Sequence, residues 1–351
     1  MKTHHLLNRR ILYIDNKSAL SYFKGYIYYD EVGRDAQKQS IGNFINRSGL
    51  LERLTRKEPR CAAKVDDNHI LFSFHGNILN YCIQDNSMAV EHQFSKGMNN
   101  PLEFLSIDDP TAREKTILYG EYIWNEDKGP VDIYRRKNGV WKCVFSFPEK
   151  TITHIHNIVF DKYREGFFVL TGDDDSEAGI WFADMDFKTV KPVLLGKQQY
   201  RACVAFPDKK GIYFATDTPL EDNYIYYLEL NQDLSVGELF RKFKMPGPCI
   251  YGCNHGQFMY FSTSVEPDST LPKWKYRLTY RLGTGVKDRY THIIRGSYDG
   301  VFQDIYNFKK DVLPIWLFQF GNVIFPANEA DEMYVVLQST IQGHGVTKRL
   351  P

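Results

Sequence analysis

Near the middle of the chain, the run Thr-His-Ile-His sets His154 and His156 one residue apart at the mouth of an apolar stretch. In a β-strand successive side chains point to opposite faces, so the two histidines face the same way and Ile155 turns against a neighbouring sheet. Paired imidazoles can ligate a divalent metal, act as an acid/base pair, or serve as hydrogen-bonded structure. A little further on, Gly-Asp-Asp-Asp offers Asp173 and Asp174, and Glu121 and Asp217 stand in comparable stretches on either side. Two carboxylates can cleave a glycosidic bond as acid and base or as acid and nucleophile. The catalytic candidates are therefore His154, His156, Asp173, Asp174, Asp217 and Glu121. As metal ligands, His154 and His156 with Asp173 or Asp217 suit Zn or Mn, with Ca as a further candidate ion. A lyase chemistry is also open: an arginine such as Arg201 neutralises a uronate while an imidazole or a phenol such as Tyr200 takes the adjacent proton. Tyr122, Trp124, Tyr200 and Tyr251 can stack on sugar rings. Glu221, Asn223, Glu266 and Arg60 complete the candidate binding set.

The surrounding sequence has no long helical period. It is a series of short, aromatic, strand-like runs broken by Gly, Pro, Asp and Asn, in a chain with 23 Tyr and 24 Phe. Four stretches align as an aromatic strand followed by a polar, carboxylate-bearing loop, and the first three resume with a second aromatic strand. From Glu121 to Asp173 to Asp217 to Glu266 the steps are 52, 44 and 49 residues. A period of this size, with four short strands per unit, predicts a β-propeller. Innermost strands are expected near residues 10, 60, 102, 154, 200, 250 and 315, which gives seven blades, six being the alternative. The whole chain, 1–351, reads as a single all-β domain.

A fainter repeat accompanies the first. "YDEVGRDA" at 29–36, "RRKNGVW" near 135, "DMDFKTV" near 184 and "SYDGVF" at 297–302 are degenerate Asp/Gly turns expected between the third and fourth strands of a blade. These turns resemble the Asp-box (BNR) repeats of the sialidase-like propeller superfamily. "GEYIWNEDKGPVDIYRR", "HIHNIVFDKYREGFFVLTGDDDSEAGIW", "QQYRACV", "TDTPLEDNYIY" and "FQFGNVIFP" are similar to a group of bacterial sialidase-like proteins, over most of the chain after about residue 115. The resemblance implies a propeller and a link to surface-polysaccharide metabolism, but no particular reaction. True sialidases need an arginine trio for the sugar carboxylate, a Tyr/Glu nucleophile pair, an Asp acid/base and an early F-R-I-P stretch; no such stretch is found, which argues against classical sialidase activity.

In a propeller the loop entering the innermost strand A and the loop joining B to C lie on one face. That rule gathers His154, His156, Asp173, Asp174, Tyr200, Arg201, Asp217, Glu121, Asn125, Tyr251, Glu266, Arg60 and His75 around one mouth of the channel, and sends His255 to the other. Convergent polar groups in a concavity are where ligands bind.

With 44 basic and 43 acidic residues the net charge is +1, which gives no reason to expect nucleic acid or an anionic membrane as partner. The run "GTG" near 283 lacks the strand–helix context of a dinucleotide loop. No stretch approaches the ~18 apolar residues of a membrane span, and the N-terminus has no secretory h-region. The six cysteines show no CxxC pairing, as expected of a reduced cytoplasmic protein. Oligomeric state is left open. The resulting expectation is a carbohydrate-active propeller, hydrolase or lyase, acting on an acidic or complex glycan. The alternative is a non-catalytic glycan- or protein-binding propeller of a surface-polysaccharide pathway.

Overall fold

The computed structural model describes residues 7–98 and 100–351; the reading of the N-terminus as lacking a secretory signal bears in part on residues 1–6, outside this range. Seven small antiparallel sheets stand in a ring as a seven-bladed β-propeller, so the six-blade alternative falls. The innermost strands begin at Arg10, Ala62, Leu105, Ile155, Ala202, Cys249 and Asn322. The seventh starts later than the expected 315 because residues 311–321 first run as turns and irregular chain.

Blade 4 shows how the sequence makes a unit. Strands Ile155–Asp161, Gly166–Thr171, Gly179–Asp184 and Val190–Leu195 pair in order from the channel outwards. The second strand, Gly-Phe-Phe-Val-Leu-Thr, is buried throughout, because a central strand is covered on both faces by neighbouring blades. The fourth has only exposed and half-buried residues, as an outer edge should. All four degenerate Asp/Gly turns do connect third and fourth strands, in blades 1, 3, 4 and 6.

Between blades the sheets interlock through apolar side chains. Ile158, Phe167 and Val169 of blade 4 pack on Leu118 and Ile133 of blade 3, while Phe168 and Leu170 meet Phe214 and Ile212 of blade 5. The Arg164 guanidinium joins blades 4 and 5 on the far side from the histidines. It is held by Asp161 at 2.7 Å and donates to the carbonyls of Asp208 and Leu230, with both ion-pair side chains fully buried.

The ring closes where Ala327–Asn328 pairs in parallel with Tyr13–Ile14 of blade 1 and the Glu329 amide donates to the Ile14 carbonyl at 2.8 Å. The long sixth unit is explained by an insertion between its second and third strands, residues 264–289, which contains the short helix Lys273–Leu278. This strap is clamped to the B–C loop of blade 5. A Cβ on Gly283 would lie 2.3 Å from the Pro219 carbonyl oxygen, and one on Gly285 2.2 Å from that of Glu221. Close approach of backbones therefore accounts for the "GTG" run. Among the described residues no helix is long and apolar enough to cross a membrane.

Candidate functional site

His154 and His156 are placed by a bulge. In blade 4 the ladder pairs Ile155 with Thr171 and Asn157 with Leu170, leaving His156 as the extra residue. Blade 5 repeats the device with Cys203, which slips between Ala202 and Val204. A bulge re-aims one side chain without breaking the strand, and here it sends His156 and Cys203 towards the same point. Ile155 turns away, as alternation requires, and lies against Gly120 of blade 3, where a Cβ would come within 2.4 Å of it.

The two imidazoles meet head on, with their Nε2 atoms 3.0 Å apart. Asp173 Oδ1 is 3.2 Å from His156 Nε2 and 3.6 Å from His154 Nε2. His156 Nδ1 stands 3.0 Å from the Ala202 carbonyl. A carbonyl only accepts, so Nδ1 carries the proton and a neutral His156 presents a bare Nε2 lone pair. Ligand atoms about 2.1 Å from a common centre lie about 3.0 Å apart at right angles and about 3.4 Å apart in a tetrahedron. The trio therefore has the spacing of a metal-binding set, with one imidazole fixed by a backbone carbonyl as metal-bound histidines usually are. Two nitrogen donors and one carboxylate suit Mn or Zn; Ca prefers oxygen donors throughout.

The loop that carries Asp173 is built by Glu177. This buried carboxylate accepts from the Thr153 amide at 2.5 Å, the Thr153 hydroxyl at 2.9 Å and the amides of Asp173 and Asp174 at 3.4 and 3.3 Å, and pairs with Lys128 at 3.3 Å. Gly172 turns the chain at φ +78°, and a Cβ there would strike the Glu177 backbone at 2.3 Å. Nothing in the sequence singles out Glu177 from the other acids of the Asp-rich run.

Arg201 ties the blades together by donating to Asp173 Oδ1 at 3.0 Å and Asp217 Oδ2 at 3.4 Å. Burial works against ionisation of Asp173, but the Arg201 charge holds its carboxyl well below the usual range. Cys203 donates to Asp217 at 3.4 Å, and burial followed by the Asp217 charge keeps it a thiol. His156, Cys203 and Asp217 form a second group of ligand atoms at metal-binding separation. The blade alignment His154-x-His156 with Arg201-x-Cys203 is the signal that would have found Cys203 in the sequence. Glu266, accepting from Ser264 at 2.5 Å, is pushed up to about 8 by burial and by the charge of Asp217.

Above this cluster lies a cavity of about 560 Å³, with His154, Asp173 and Asp174 facing Arg56, Arg60 and Tyr122. The Tyr122 ring meets that of His154 edge-on at 4.6 Å. Loss of water around its hydroxyl, then the Asp173 charge, lifts the Tyr122 phenol well above its usual range. Arg60 also bonds Glu58 at 3.2 Å and Gln319 at 3.1 Å.

Other sequence candidates stand apart. Glu121 is buried and committed to the Ser95 hydroxyl and the Asp132 amide. Asn223 is sealed inside the blade 5 loop, holding the Thr218 amide and carbonyl, and the neighbouring Glu221 is exposed. Tyr200 ends a one-turn helix with the Lys197 ammonium 5.8 Å above its ring, and Tyr251 lies deeper along the channel beside Arg60 and Cys61. Asn125 braces its own loop through the carbonyls of Gly129 and Thr153, and His75 bonds the Lys57 carbonyl. His255 lines a cavity of about 620 Å³ at the opposite mouth, as the face rule requires.

No family model matches the chain, and no curated protein does. Among solved structures, the fold is similar to that of an oligogalacturonate lyase in complex with manganese, at 12% identity and a TM-score of 0.55, over 98% of this chain and 90% of that one. It is also similar to the extracellular domain of a one-component system from B. thetaiotaomicron, at 11% identity and a TM-score of 0.52, over 94% of this chain but only 36% of that one. At these identities the likeness is one of fold, a seven-bladed propeller.

Proposed function

We propose that this propeller is an acidic-glycan lyase, acting on uronate-containing oligosaccharides at the mouth that carries His154 and His156. The observation that carries the reading is the convergence of the two Nε2 atoms and Asp173 at metal-ligand spacing, directly beneath a cavity walled by Arg56 and Arg60. The neighbour described as an oligogalacturonate lyase with manganese supports both the substrate class and the ion.

His154, His156 and Asp173 would hold the divalent cation, which when bound would neutralise the sugar carboxylate and draw down the pKa of the nearby Tyr122 phenol. The remaining work falls to the chain's own groups. Arg201 keeps Asp173 ionised and aimed at the histidines. Arg56 and Arg60 supply a positive wall for the anionic sugar. As its phenolate, Tyr122 takes the proton from the carbon beside the carboxylate and, as the neutral phenol, returns it to the departing glycosidic oxygen. The C–H electron pair becomes the new C=C bond as the C–O bond breaks, so no water is consumed. Six free cysteines fit a reducing, cytoplasmic setting for this activity. The Asp-box resemblance of the turns fits a role in polysaccharide metabolism and adds nothing to the choice of reaction.

The test is direct. The full chain is loaded with Mn²⁺ and given oligogalacturonate, and the ultraviolet absorbance of the conjugated unsaturated acid is followed. Growth of that absorbance, lost in Tyr122→Phe, supports the reading. Reducing ends released without absorbance would mean hydrolysis, and binding without turnover would mean a glycan-binding propeller.

A further inference from the structure

The strap of blade 6 reaches across the mouth to the B–C loop of blade 3. The Lys273 ammonium lies 5.7 Å over the ring of Trp124, and Trp124 is 77% exposed. Against the strap lies a cavity of about 680 Å³ lined by Trp124, Glu126, Lys273, Tyr276, Arg277 and Trp316. Trp124 and Glu126 also line the cavity above the histidines, so the two spaces adjoin at these residues. Tyr276 and Trp316 stand with ring centroids 6.1 Å apart, and Arg277 lies 5.0 Å over Trp316. Among the described residues neither Lys273 nor Arg277 is ion-paired; each rests on an aromatic ring instead.

We infer that this strap-lined cavity is a second sugar subsite, which binds the neighbouring residue of an acidic oligosaccharide by stacking on Tyr276 and Trp316 and by pairing its carboxylate with Lys273 and Arg277. The inference rests on the acidic-glycan reading of the first cavity and extends it to chain length. Aromatic rings take the apolar face of a pyranose, and two cations without carboxylate partners match a repeating anion. A single sugar bound over the histidines would leave this second space to water, whereas an oligomer fills both.

The experiment compares galacturonate monomer and tetramer binding to the Mn²⁺-loaded full chain by calorimetry, in wild type, Tyr276→Ala and Lys273→Ala. The expected result is that each variant weakens the tetramer about tenfold and leaves the monomer within twofold, so the chain-length advantage shrinks. Unchanged tetramer affinity in both variants, with the wild type preferring the tetramer, overturns the subsite. Equal loss for monomer and tetramer overturns it too, because the strap would then merely support the first cavity. Absence of binding by any length to the wild type overturns the acidic-glycan reading itself, and the subsite with it.

Discussion

The Nε2 atoms of His154 and His156 stand 3.0 Å apart while His156 Nδ1–H is committed to the Ala202 carbonyl. Two nitrogens this close cannot both point bare lone pairs at each other unless a proton or a cation lies between them. A divalent cation there would also be met by Asp173. Metal analysis of the purified chain, dialysed without chelator, should find about one equivalent of Mn or Zn. In the His154→Ala/His156→Ala variant it should find none, with circular dichroism unchanged. A double variant that unfolds would make the pair structural.

Glu177 should act on the ion without touching it. Replacing it by Ala frees the amides of Thr153, Asp173 and Asp174 that its carboxylate now gathers. Groups that orient metal ligands typically change affinity 10- to 100-fold, so Mn²⁺ affinity should fall by about 10- to 100-fold. Partial recovery in Glu177→Gln, measured by metal titration at a temperature where all three proteins are folded, would separate positioning from general loss of stability.

The Glu266 carboxyl gives a pH dependence with a definite sign. Its folded pKa of about 8 lies above the ordinary value of 4.5 because burial and Asp217 disfavour its charge. The stability this contributes is complete below the ordinary value and is lost as pH rises through about 8. Glu266→Gln cannot ionise. Its melting temperature should match wild type near pH 5 and exceed it by about 2 °C or more near pH 9. Parallel melting curves at both pH values would refute the assignment.

Asp161 and Arg164 test the scaffold independently of the site. Both side chains are fully buried, and Arg164 also serves carbonyls of blade 5. Removing one partner of such a pair leaves a buried charge and costs about 3–5 kcal/mol. Asp161→Ala should show that loss in urea unfolding while metal stoichiometry stays the same.

Much of this molecule was legible in its residues. Blade count and the third-to-fourth-strand turns could be read because each strand is a run of aromatic and β-branched residues and each turn is marked by Asp, Asn or Gly. The face rule then placed His154, Asp173, Arg201 and Asp217 together, since it depends only on strand parity. What escaped depends on side-chain direction. Glu121 belongs to the right loop, but its carboxylate is turned into the blade by Ser95 and Asp132. Asn223 is likewise consumed in bracing a turn. The strap gave only a longer sixth spacing, because the helix Lys273–Leu278 is too short for a clear period and packs through single aromatic contacts.

The closure between Ala327–Asn328 and Tyr13–Ile14 has a mechanical meaning. It joins blade 7 to blade 1, and in a ring of seven the blade facing that join is the fourth, which bears both histidines. A hoop opens at its clasp, and the point that shifts least is the one diametrically opposite. Local opening at this join is thereby placed as far from the two imidazoles as the circle allows. A propeller so fastened can loosen at its clasp while His154 and His156 keep their alignment.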